Sequence, residues 1–164
     1  MRVERSGDSL MVELGSETET DLLGGALASV VRPSVVIGLV GPLGAGKTRL
    51  SRAIAEALGV DPGAISSPTF VLIHEYEGRL PVYHFDTYRL NEARAFEDLG
   101  VADYWGAGGV CLVEWADRVR ELMPAETWWI TIEPLGETAR LVNVSVSRED
   151  EAVLDALERL LATE

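Results

Sequence analysis

A chain of 164 residues with 47% hydrophobic content has the makings of one ordinary domain, residues 1–164, and leaves no room for a second of full size. Its formal net charge of -13, from 27 acids against 14 bases, repels free duplex or single-stranded nucleic acid over most of the surface. The lone cysteine, Cys111, excludes an internal disulfide and a cysteine-based metal cluster. The longest apolar runs are far too short for a bilayer, and "MRVERSGDSL" lacks the apolar stretch of a signal peptide, so a cytoplasmic chain with no membrane partner is expected.

In chain order, alternation in "SLMVEL" (9–14) predicts a strand. "SETETDLLGGALASVV" then places Ser and Thr caps ahead of Leu22, Leu23, Ala26, Leu27 and Val30 at helical spacing. "SVVIGLV" is a continuous apolar run, as in a strand covered on both faces, and "TRLSRAIAEALG" is a helix stopped at Gly59. The polar "DPGAISSPTF" reads as a loop, and "VLIHEYEG" with "LPVYHFDTY" as a hairpin turning at "EGR". "NEARAFEDLG" is a short helix, "GVCLVEW" a buried strand and "ADRVRELMP" a helical turn or two. "TWWITIEPL" and "ARLVNVSV" pair across "GET", and "EDEAVLDALERLLATE" ends the chain as an amphipathic helix. Strands alternating with helices, with hairpins added, predict an α/β sandwich of three layers around a mixed central sheet.

Chemistry concentrates in "GPLGAGKT". Gly41, Gly46, Lys47 and Thr48 satisfy G-x-x-x-x-G-K-[ST], between a strand and a helix as that motif requires. Glycines let successive N–H groups turn inward as a nest for phosphate oxygens, at the positive end of the following helix. Lys47 adds a full charge near the β and γ phosphates, and the Thr48 hydroxyl is placed to ligate Mg²⁺. The chain has thirteen arginines and this one lysine, and Arg49 and Arg52 follow it closely, so an anion is expected here.

A phosphate cradle needs a carboxylate on a neighbouring strand, and "GVCLVEW" delivers Glu114 at its C-terminal end, where open α/β sheets hold ligands. Asp86 ends another strand and orients the attacking water or a metal-bound water, or caps the turn after it. Thr69 in "SSPTF" lies where a switch segment senses γ-phosphate and Mg²⁺. His84 shares a strand face with Asp86, and His74 sits on the partner strand; both read as packed or hydrogen-bonded histidines. Trp115 reads as core or as a lid near the nucleotide, Arg89 as an exposed arginine, and one of Trp128 and Trp129 as core.

The series "GPLGAGKT", "SPTF", "HFDTYRL", "VEWADRV" resembles the TsaE (YjeE) family of small bacterial P-loop ATPases, over about residues 14 to 145. The resemblance implies a P-loop NTPase-like fold and an ATPase that uses ATP and Mg²⁺. It also implies work with TsaB and TsaD in the threonylcarbamoyl modification of adenosine in certain tRNAs, with tRNA met only through the complex. Carried onto this sequence, Thr48 and Glu114 match the family's Mg²⁺ ligands. Gly44, Ala45, Gly46, Lys47, Thr48 and Arg49 match its phosphate loop, and Asp86 an aspartate needed for hydrolysis. Thr20 and Arg140 are implied as neighbours of the adenine. Ala116 and Asp117 stand where many relatives have proline and glutamate. A small-molecule kinase uses the same cradle, but usually with an arginine-rich lid insert that this sequence lacks; a nucleotide-dependent binding module differs from the ATPase only in rate.

Overall fold

The computed structural model of the chain describes residues 1–65, 72–88, 90 and 93–163. Its strands and helices are, in order, β1 (Arg2–Ser6), β2 (Ser9–Leu14), α1 (Glu17–Val30), β3 (Val36–Val40), α2 (Lys47–Ala57), β4 (Ile73–Tyr76), β5 (Val82–Asp86), α3 (Ala93–Glu97), α4 (Val101–Trp105), β6 (Val110–Glu114), β7 (Trp128–Pro134), β8 (Arg140–Ser145) and α5 (Glu151–Ala162). The eight strands make one sheet in the order β1-β2-β8-β7-β3-β6-β5-β4. β3 runs parallel to β6 and β7, and β5 parallel to β6. The remaining pairings, β4 with β5 on one flank and β7-β8-β2-β1 on the other, are antiparallel. The mixed sheet and both added hairpins are therefore as expected.

Strand alternation divides the apolar residues between two cores. Ile37, Leu39, Val110, Leu112, Ile130 and Ile132 face Leu23 and Leu27 of α1, Leu50 and Ile54 of α2, and Leu154 and Leu157 of α5. On the other face Val36, Phe85, Cys111 and Val113 pack against Phe96 of α3, Val101 of α4 and Val119. Trp128 is wholly buried in the first core, while Trp129 only borders the second. Full burial of each such leucine or phenylalanine contributes about 1.5–3 kcal/mol, so the two cores fix the strand ends that carry the site. Burial pushes the Cys111 thiol up to about 12, which leaves it an inert core residue.

Two ends of helices show how the chain is tied. Ser16 caps α1 by accepting the Glu19 N–H at 3.2 Å, and the Glu19 carboxylate accepts the Gly15 N–H at 2.6 Å. Ahead of α5, Asp150 accepts from Arg32 Nε at 2.9 Å and NH2 at 2.8 Å, from Trp128 Nε1 at 2.8 Å, and from Ser147 Oγ at 3.3 Å. The Arg32 guanidinium holds the Asp150 carboxyl below the usual carboxylate range.

Two elements were not expected. β1 pairs with β2, Val3 opposite Val12, through a turn in which Gly7 takes φ +58°. α4 adds a second short helix after α3, started by Gly100 in the left-handed region at φ +75°. The stretch 116–122, expected as a helical turn or two, is a 3-10 helix broken at Val119.

Candidate nucleotide-binding site

β3 delivers the chain to Gly41, where an added Cβ would meet the Ile132 carbonyl oxygen at 2.5 Å, so the loop starts hard against β7. Gly44 at φ +79° and Gly46 at φ +108° then turn it through conformations that favour glycine. α2 begins at Lys47, and the amides of its first turn have no acceptor within the helix. Arg140, at the start of β8, braces this loop from outside: Nε donates to the Ala45 carbonyl at 2.7 Å and NH2 to that of Gly44 at 3.3 Å.

Alternation places Val110, Leu112 and Glu114 of β6, and Val82, His84 and Asp86 of β5, on the sheet face that α2 covers. Register sets Asp86 beside Glu114 at the ends of their strands. Glu114 is only 2% exposed, and its Oε1 accepts the Thr48 hydroxyl at 2.7 Å. Its Oε2 is hydrogen-bonded to Nε2 of His84. The two residues expected to ligate Mg²⁺ are thus brought together from α2 and β6. Two hard oxygen donors suit Mg²⁺, whose remaining positions are ordinarily water and phosphate oxygens. Among the described residues no three His, Cys, Asp or Glu side chains gather to hold a metal by themselves.

Lys47 is buried and donates to the carbonyls of Gly41 at 2.7 Å and Pro42 at 2.9 Å, with its Nζ 3.7 Å from the centre of the Trp115 ring. Burial pushes its ammonium below the ordinary value, and the carboxylates of Glu114, Asp117 and Asp86 oppose that shift. Tyr88 lies on Trp115, ring centres 4.9 Å apart, so the tryptophan is a wall of the crevice and not a core residue. Asp86 uses one oxygen to accept the Tyr88 N–H at 2.9 Å, the turn cap expected of it, and it also lines this crevice beside Lys47, Thr48 and Glu114. Thr87, absent from the sequence reading, is fully buried; its hydroxyl lies 3.0 Å from the Glu114 carbonyl and 2.9 Å from that of Trp115, pinning the end of β6.

On the other side of the loop, a cleft of about 150 Å³ is bounded by Thr20, Arg140, Leu14, Ile132 and Val142, with Gly44 to Gly46 at its base. The two residues implied near the adenine, far apart in sequence, line the same cleft. The expected basic cluster is largely neutralised: Arg49 pairs with Glu17 at 3.1 Å and Asp21 at 2.7 Å, and Arg52 with Glu56 at 2.8 Å. Thr69 and Arg89 lie outside the described residues.

Residues 14–142, a span that holds every one of these side chains, match the family described as threonylcarbamoyl adenosine biosynthesis protein TsaE. The chain belongs to the TsaE family. The tRNA threonylcarbamoyladenosine biosynthesis protein TsaE of Bacillus subtilis is 39% identical over 143 residues, covering 86% of this chain and 89% of that one. Its counterpart of the same name in Treponema pallidum is 35% identical over 130 residues, 79% of this chain and 96% of the relative. The crystal structure of YdiB from Bacillus subtilis superposes with a TM-score of 0.77 at 34% identity, covering 97% of each chain. TsaE membership and this neighbour agree with the P-loop NTPase-like sandwich expected above. No described helix is long and apolar enough to cross a membrane.

Proposed function

We propose that the chain is a Mg²⁺-dependent ATPase that acts in the cytoplasm with TsaB and TsaD in the threonylcarbamoyl modification of tRNA adenosine. The observation that carries this reading is the hydrogen bond of 2.7 Å from Thr48 to Glu114 at the head of α2, beside Lys47 and with Asp86 next to it on the neighbouring strand. In the bound state Lys47 exchanges the Gly41 and Pro42 carbonyls for β and γ phosphate oxygens, which carry more negative charge. Glu114 takes the Thr48 proton into hydrogen bonding and leaves a hydroxyl lone pair facing the crevice. Bound Mg²⁺ would sit at Thr48 and Glu114 and offset charge on the β and γ oxygens. Asp86, with one oxygen tied to Tyr88, turns the other toward the attacking water. Thr20 and Arg140 shape the side of the loop where the nucleoside lies.

The pathway rests on TsaE membership and on the names of the relatives, and TsaB and TsaD on the family resemblance of the sequence. At a net charge of -13 the chain itself is a poor ligand for tRNA, so contact with RNA runs through the partner proteins. Inorganic phosphate release by the purified chain, alone and with TsaB and TsaD, tests the reading. Mg²⁺-dependent release that changes when the partners are added is expected; no release under either condition overturns the ATPase. Equal elution of the chain with and without TsaB and TsaD on a sizing column, in ATP, overturns the partnership.

A further inference from the structure

We propose that His84 is a positioning residue for Glu114: its Nε2 hydrogen fixes the carboxylate in the rotamer that presents Oε1 to Thr48 and to Mg²⁺. The inference rests on the metal reading of the site and goes one shell behind it. Glu114 carries a carboxylate into an interior where it is 2% exposed, and such a charge needs a donor at each oxygen. Thr48 serves Oε1. The second oxygen meets Nε2 of His84, a residue itself 6% exposed. An ionised carboxylate has no hydrogen to give, so Nε2 carries the proton in this contact.

Register explains why this histidine and no other residue fills the place. His84 stands opposite Leu112, two residues behind Glu114 on β6, and two residues behind Asp86 on β5. It therefore approaches the carboxylate from the interior, while the crevice side is lined by Lys47, Thr48, Asp86 and Trp115. Among the described residues His84 is not part of the crevice lining; it acts through Glu114. Beside it lies a space of about 70 Å³ that it shares with Thr48, Ser51, Tyr76 and Leu112. Ser51 Oγ and Tyr76 Oη are buried beside this space without a hydrogen-bond partner among the described residues. The space accepts side chains of other shapes at position 84, and it also gives water a route to an oxygen left bare by a small residue. A replacement must for that reason fill the ring's volume.

The test compares wild type, His84→Leu, which fills the space without a donor, and His84→Gln, whose amide N–H reaches as far as Nε2. ADP and ATP dissociation constants are titrated by calorimetry in EDTA and over a series of Mg²⁺ concentrations. Outer-shell partners of metal ligands typically contribute about 10–100-fold in metal affinity. The leucine variant is expected to need about 10–100-fold more Mg²⁺ for half-maximal tightening while binding nucleotide in EDTA as wild type does, and glutamine is expected to restore most of the loss. Wild-type Mg²⁺ dependence in the leucine variant overturns the role of His84 alone, as does a glutamine variant no better than leucine. If the leucine variant does not fold, a glutamine variant that has lost the Mg²⁺ dependence overturns it too. A wild-type chain whose nucleotide affinity ignores Mg²⁺ overturns the metal reading of the site, and this inference with it.

Discussion

At the N-terminal ends of β3 and β7, Asp150 is held by both arms of the Arg32 fork, by the Trp128 indole and by the Ser147 hydroxyl. At the opposite ends of the same sheet, Lys47 is buried against two loop carbonyls and a tryptophan face, and its nearest opposite charges act on it only through space. Both places put charge into the interior. In the first, the acid is hydrogen-bonded directly to its counter-ion and its pKa falls; in the second, the cation has no direct carboxylate partner among the described residues and its pKa falls because burial dominates. Asp150 is thus a fastener already satisfied within the fold, whereas Lys47, buried at the edge of an open crevice, would gain by meeting an anion.

Variants can break this contrast, and the largest effect is expected at Asp86. Asp86→Ala should lower ATP turnover by about 100-fold, the lower end of what a positioned acid-base group contributes, while sparing nucleotide binding. Glu114→Ala should instead remove the Mg²⁺ dependence of binding. Wild-type turnover in both variants would make the two strand-end carboxylates structural. Next, Lys47→Ala should weaken ATP binding by at least about tenfold, because a charge-assisted contact to phosphate is lost. Unchanged affinity would take Lys47 out of the site.

The fastener end predicts the reverse pattern. Asp150→Ala should lower folding stability by about 1–3 kcal/mol, since Trp128 Nε1 loses its acceptor and Arg32 its partner, and should leave ATP affinity alone. A urea midpoint equal to wild type would mean the network contributes nothing. The pH sign follows from the depressed pKa. Asp150 contributes stability in full above its unfolded value of about 3.9, and the contribution is lost as pH falls through the lower folded value. The difference in stability between wild type and Asp150→Asn should accordingly shrink below about pH 4, a smaller effect than the substitution itself at neutral pH.

Much of the site is legible in the sequence because its signals are local. The glycine turn is one unbroken octet, and Glu114 stands out as the one carboxylate that ends an apolar strand. His84 and Thr87 are not legible in their roles. The histidine's contact depends on His84 standing opposite Leu112 across two strands, and the threonine's on reaching carbonyls 27 and 28 residues away. Arg140 entered through family resemblance as a nucleoside neighbour; its grip on Ala45 and Gly44 follows from β8 lying beside β7, which no short-range pattern carries. β1 escaped notice because a five-residue edge strand with half its side chains exposed has too little alternation to register, and α4 because five residues hold barely more than one helical period.

The lone lysine also has a practical meaning for anyone seeking the partners of this chain. Lys47 is buried under Trp115, so the folded exterior offers cationic chemistry through guanidinium groups alone, apart from the terminal amine. Amine-reactive crosslinkers and surface biotinylation reagents will pass over nearly every contact the protein makes and will strike the proposed nucleotide site if they strike a side chain at all. Carboxylate-directed coupling, with 27 acids to draw on, is the chemistry that can capture a docked neighbour, provided Asp86 in the crevice is shielded during the reaction.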